Sequence, residues 1–185
     1  PPTLVGNWQT ECARCAPTLN CVAYHGAELK MDETKSDLVI TTYGTLRRDL
    51  PKFSALEWPV VIIDEAQNIK NPDTDQTRAV KSLKARAFIA MSGTPVENRL
   101  SELWSIFDFT NKGYLGHISG FQQKFALPIE KYRDRETIEK LKAATGPFIM
   151  RRLKSDRSIV DDLPEKLIFE EYCYLTKEQS ALYRQ

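Results

Sequence analysis

Val60-Val61-Ile62-Ile63-Asp64-Glu65-Ala66-Gln67 is the stretch whose reading decides the fold. Four β-branched residues run together with no polar residue between them, which predicts a strand of a parallel sheet, buried on both faces. The apolar run stops at two adjacent carboxylates. In open α/β sheets ligands bind beyond the carboxyl ends of the strands, so Asp64 and Glu65 are expected at the crevice. An acidic pair there suits phosphoryl chemistry: one carboxylate helps hold Mg2+ and the other orients or deprotonates the attacking water. A solvated acidic turn closing an ordinary strand would look the same, so a second signal has to decide.

That signal is Ala90-Met91-Ser92-Gly93-Thr94-Pro95-Val96-Glu97-Asn98, where an apolar strand (Ala87 to Met91) again runs into small, hydroxylated, turn-forming residues. Strand, Asp-Glu-Ala-Gln, helix, strand, Ser-Gly-Thr-Pro in this order resembles motifs II and III of superfamily-two helicases. Glu97 to Ser105, Asn68-Ile69-Lys70-Asn71-Pro72 and Phe148-Ile149-Met150-Arg151-Arg152-Leu153-Lys154-Ser155-Asp156 narrow the match. Together they resemble the Swi/Snf (sucrose-non-fermenting) family of ATP-driven DNA translocases, most like its bacterial and archaeal members, over essentially the whole chain.

The resemblance implies ATP and Mg2+ as cofactors and double-stranded DNA as partner. It also implies a second helicase lobe in the same chain and leaves room for a DNA-bound protein to be displaced. Asp64 would hold Mg2+, through water, and Glu65 would activate the attacking water. Gln67, Ser92, Gly93 and Thr94 would couple the state of the nucleotide to the grip on DNA. A prokaryotic member would work in the cytoplasm on the nucleoid, a eukaryotic one in the nucleus.

A chain of 185 residues, 42% hydrophobic and 28% charged, has the composition of one globular domain with room for part of another. Its formal net charge of +1 neither demands nor excludes nucleic acid, so any basic footprint has to be local. No apolar run approaches bilayer-spanning length. Pro1 at the start and a helical pattern running to Gln185 predict a piece of a longer protein. The Gly-Lys-Thr phosphate loop that opens the family's first lobe does not occur in these residues, and the family's arginine finger belongs to the second lobe. These 185 residues alone are therefore expected not to hydrolyse ATP appreciably, because catalysis here is positioning and charge neutralisation.

Cys12 and Cys15 have Cys-x-x-Cys spacing, but no second pair or histidine lies at ligand distance in the sequence. With Val5 and Trp8 they fall on one stripe of a helix that Thr3 can cap, which predicts buried apolar thiols. His25 and His117 are isolated and read as surface or loop residues.

Asn20 to Tyr24 predicts a short strand. Asp37 to Gly44 predicts a second one, with a helix to Leu50 and a break at Pro51. This segment resembles the family's motif Ib, whose loop touches the DNA backbone. Thr41 and Thr42 can donate to phosphate oxygens there, or are simply good strand residues. A helix is predicted from about Asp73 to Leu83, with Lys70 and Asn71 in the loop before it as DNA-facing or loop-anchoring residues. Asn98 can cap the next helix, whose Leu100, Leu103, Trp104, Phe107 and Phe109 predict a core face.

Ser119 and Gln122 fit a capping box, with Pro128 closing that helix, and a polar helix is predicted from Asp134 to Ala144. Arginine suits bidentate contacts, so Arg151, Arg152 and Lys154 read as an interlobe brace or a DNA-facing stretch. Leu167 to Tyr174 is strand-like.

The expected fold class is α/β: a RecA-like lobe with a mostly parallel sheet flanked by helices, a helical protrusion and the start of an interlobe linker. The expected boundaries are 1–110 for the lobe, 111–150 for the protrusion and its return, and 151–185 for the linker and entry into lobe two. The alternative in a different class is a non-catalytic scaffold that binds DNA or protein. Another Mg2+-dependent phosphohydrolase has only the acidic pair in its favour.

Overall fold

The computed structural model describes residues 2–26, 35–94, 96–152 and 169–183. They divide into two compact units, Pro1–Lys142 and Ala143–Gln185. The helical segment after residue 110 thus shares a unit with the strands as far as Lys142. No described helix is long and apolar enough to cross a membrane.

In the first unit, α1 (Val5–Cys15) leads to β1 (Cys21–Tyr24), which pairs in parallel with β2 (Leu38–Thr41). Two short helices follow, α2 (Tyr43–Arg48) and α3 (Leu50–Ser54), before β3 (Glu57–Ile63). Pro51 does not break the chain into a loop; it sits in the first turn of α3, where its missing N–H costs nothing. A 3-10 turn (Ala66–Ile69) and α4 (Asp75–Lys81, capped by Thr74) lead to β4 (Lys84–Ala90). β4 lies parallel to β3 in the register Val60 to Ala87 and Ile63 to Ala90. The α/β class with parallel strands therefore holds, arranged among the described residues as two two-stranded ladders.

One expectation fails in an informative way. β3 is not buried on both faces: Val61 and Ile63 point into the core, while Val60 is 45% and Ile62 54% exposed, beside Ile89 at 46%. An unbroken β-branched run makes both faces apolar, but strand geometry still alternates side chains, and described residues cover only one face.

α5 (Leu100–Thr110) is the hinge of the packing. Ile106 and Phe109 enter a core with Tyr24, Leu46, Phe53, Ile63, Ile69 and Val80. From the same helix, Trp104 enters a second cluster with Phe121, Phe125 and Leu141. Buried Ser105 donates to the Ile69 carbonyl at 2.7 Å, tying the helix to the turn after β3. The predicted core face is therefore core, on two sides.

Several predicted ends move. Leu4, without a side-chain bond, precedes α1 in place of Thr3. On that helix Val5 is buried and Cys12 half-buried, but Trp8 and Cys15 are exposed, so the stripe is only partly covered. Asn98 does not cap α5. Glu102 reaches back from the first turn to accept from the Glu97 and Asn98 N–H groups, and Glu130 accepts from Leu100 N. A carboxylate there also meets the positive end of the helix.

His117, not Ser119, precedes α6 (Ile118–Phe121), its ring accepting from Ser119 N. Pro128 does not close that helix. A π-helical stretch (Gln122–Ala126) carries it into α7 (Leu127–Tyr132), relieving the clash proline makes with the preceding turn.

α8 (Arg135–Thr145) matches the predicted polar helix. In the second unit, Phe169 to Tyr174 is exposed and forms no strand; the start of that predicted strand, and Lys154, lie outside the described residues. α9 (Lys177–Tyr183) opens with a reciprocal capping box: Gln179 N donates to Thr176 Oγ1 at 3.2 Å and Thr176 N to Gln179 Oε1 at 3.0 Å.

Candidate active site

β3 and β4 end side by side, and two backbone bonds continue their ladder into the loops. Met91 N donates to the Ile63 carbonyl and Ala66 N to the Met91 carbonyl, each at 2.9 Å. The acidic pair and the Ser92-Gly93-Thr94 loop are therefore held against each other at the carboxyl ends of parallel strands, where ligands bind in such sheets.

Glu65 takes a left-handed backbone, φ 52° and ψ 53°. A non-glycine residue pays for that conformation, and the turn around it supplies the compensation. Asp64 Oδ1 accepts from Glu65 N at 2.8 Å. Gln67 Nε2 donates to Glu65 Oε2 at 2.6 Å, and Ser92 Oγ donates to Gln67 Oε1 at 2.8 Å. Thr94 N donates to Ser92 Oγ at 3.1 Å, and Thr94 Oγ1 to Glu97 Oε1 at 3.2 Å. An unbroken series of contacts thus runs from Glu65 through Gln67 and Ser92 to Thr94 and Glu97.

Tyr43, which the sequence reading passed over, belongs to this site. Its hydroxyl donates to the Asp64 carbonyl at 2.8 Å. Burial, and after it the Asp64 and Glu65 carboxylates, pushes the phenol well above its ordinary pKa, so it stays a donor. The signal was there: a tyrosine entering a core needs a partner for its hydroxyl.

The residues predicted to face DNA are otherwise engaged. Thr41 Oγ1 donates to the Tyr24 carbonyl at 2.9 Å. Thr42 caps α2, accepting from Thr45 N at 3.2 Å and donating to Thr45 Oγ1 at 3.0 Å. Lys70 pairs with Glu97 and, at 3.6 Å, with Glu102. Asn71 Oδ1 accepts from Asp73 N at 3.0 Å, shaping the turn into α4. Arg151 and Arg152 are exposed in the second unit.

A divalent ion fits the donors present. Mg2+ keeps several waters and takes one or two carboxylates plus substrate phosphates, and Asp64 and Glu65 offer two adjacent carboxylates at the carboxyl end of β3. Among the described residues no group of three or more histidine, cysteine, aspartate or glutamate side chains forms an all-protein metal cage.

The SNF2-related domain model matches residues 1–185. The chain belongs to the SNF2-related family. Similar members are the "Putative ATP-dependent helicase/translocase YwqA" of Bacillus subtilis (strain 168), 44% identical over 191 residues, and the TATA-binding protein-associated factor mot1 of Schizosaccharomyces pombe, 37% identical over 198. These matches take in 100% and 98% of this chain but 21% and 10% of those proteins, so the chain spans at most about a fifth of the length of either. Among solved structures, the Sulfolobus solfataricus SWI2/SNF2 ATPase core in complex with dsDNA superposes with a TM-score of 0.80 at 45% identity. That match covers 98% of this chain and 38% of the other. The fold is thus the RecA-like one that the family resemblance implied.

Proposed function

We propose that the full-length protein containing this chain hydrolyses ATP with Mg2+ and uses the energy to move along double-stranded DNA, displacing what is bound there. The observation that carries this reading is the joining of the acidic turn to the Ser92-Gly93-Thr94 loop through Gln67.

Asp64 would hold the ion, and Mg2+ when bound would supply charge neutralisation at the phosphates. Glu65 accepts a proton from, or orients, the attacking water. Its αL backbone and the Gln67 bond fix the carboxylate, leaving its second oxygen as the acceptor. Gln67, Ser92, Gly93 and Thr94 pass the state of the site on to the Glu97–Lys70 pair. Lys70 and Asn71, with the Thr41-Thr42 loop end, face the duplex; Lys70 reaches a phosphate only after leaving Glu97 and Glu102. Arg151, Arg152 and Lys154 brace the two lobes or add phosphate contacts. By themselves these 185 residues turn over little ATP, since phosphate cradling and the arginine finger fall to other parts of the protein.

The test is Glu65→Gln in the full-length protein, which keeps shape and removes the base. DNA-stimulated ATPase should fall by about 100-fold or more, the scale of general-base loss, with ATP still bound. Undiminished turnover refutes the role of Glu65.

A further inference from the structure

The 64–65 peptide is held at both of its polar ends. Its N–H, from Glu65, donates to Asp64 Oδ1 at 2.8 Å, and its carbonyl, from Asp64, accepts from Tyr43 Oη at 2.8 Å. Rotating that peptide plane changes ψ of Asp64 and φ of Glu65 together and touches little else. Glu65 sits at φ 52°, which any residue but glycine leaves readily, so a flip would relax the backbone, turn the Glu65 N–H away from Asp64 Oδ1 and loosen the turn that aims the carboxylate. The first bond is local and can be remade after a flip by a rotation of the same side chain. The Tyr43 bond cannot, because Tyr43 is the first residue of a different element, α2, and its ring is packed against the larger core.

We propose that Tyr43 is a positioning residue for ATP hydrolysis: by holding the Asp64 carbonyl it keeps the 64–65 peptide from flipping and keeps the Glu65 carboxylate over the attacking water. This rests on the role given to Glu65 above. The hydroxyl is committed to the Asp64 carbonyl, so it acts through Glu65. Tyr43 also follows directly on Thr42, the cap of α2, so the same strut ties the loop end after β2 to the catalytic turn.

The experiment uses the full-length protein with ATP, Mg2+ and duplex DNA, comparing Tyr43→Phe, Glu65→Gln and the double variant. Phenylalanine keeps the ring and deletes only the bond. The expected result is a fall in kcat of about tenfold, the scale of one hydrogen bond, with KM for ATP and duplex affinity unchanged and Tm lowered by no more than a few degrees. In single-turnover measurements Tyr43→Phe should add nothing to Glu65→Gln, because both act on one carboxylate. A kcat within twofold of the parent, beside an inactive Glu65→Gln, overturns this inference alone. So does a loss shared by KM, DNA affinity and Tm, or an effect that multiplies with Glu65→Gln, since each marks a structural role. A fully active Glu65→Gln overturns both this inference and the function it rests on.

Discussion

Ser92 Oγ donates to Gln67 Oε1 at 2.8 Å, across the ends of two parallel strands and 25 residues apart in sequence. Gln67 passes the contact on by donating to Glu65 Oε2. One amide thus reads the Ser-Gly-Thr loop with its oxygen and holds the acidic turn with its nitrogen.

If those two bonds act as one device, their removal is non-additive. Ser92→Ala and Gln67→Ala should each reduce the stimulation of ATPase by DNA several-fold in the full-length protein. The double variant should be little worse than Gln67→Ala, with a coupling energy of about 1 kcal/mol, the net worth of one hydrogen bond. A multiplicative double variant would show that the loop and the turn work separately.

Glu65 pays for its left-handed backbone, and the payment can be isolated. Glu65→Ala and Glu65→Gly both lose the carboxylate and its bond to Gln67, but only glycine accepts φ 52° without a Cβ penalty. Glu65→Gly should be more stable than Glu65→Ala by about 1 kcal/mol in chemical denaturation, with both inactive. Equal stabilities would mean that the turn carries no strain.

Ser105 is wholly buried in α5 and serves the Ile69 carbonyl. Ser105→Ala leaves that acceptor unpaired in the core and should cost about 1–3 kcal/mol in denaturant unfolding. A loss under about 0.5 kcal/mol would indicate that water reaches the carbonyl.

Lys70 gives Glu97 a hydrogen bond and, beyond it, a favourable charge, which together hold the Glu97 carboxyl below its ordinary pKa. A depressed folded pKa means that the unfolded chain binds the proton first. The pair therefore stabilises above pH of about 4.3, the ordinary glutamate value, and that contribution disappears as pH falls through the lower folded value. Glu97→Gln should lower Tm slightly above about pH 4.3, since an exposed pair contributes little, and its curve should converge with the parent's as pH falls below that value, giving a shallower acid limb. An unchanged acid limb would show that the pair does not persist in solution.

The run Val60 to Ile63 ending in Asp64-Glu65, and the hydroxyl-rich turn after Ala90, were enough to predict the parallel strands and the family. Those are local signals: β-branched side chains favour strands, and charge stops a buried run. Tertiary structure alone decided which partner each polar group takes. Thr41 and Thr42 spend their hydroxyl protons inside the chain, Lys70 lies on Glu97 and Glu102, and Glu102 displaces Asn98 at the start of α5. It also decided that Tyr43 braces Asp64 and that β3 has one covered face and one open. Hydrogen bonds and burial depend on what lies across space, 21 residues along the chain for Tyr43 and Asp64 and 27 for Lys70 and Glu97, and spacing along a chain encodes only what lies within a few turns.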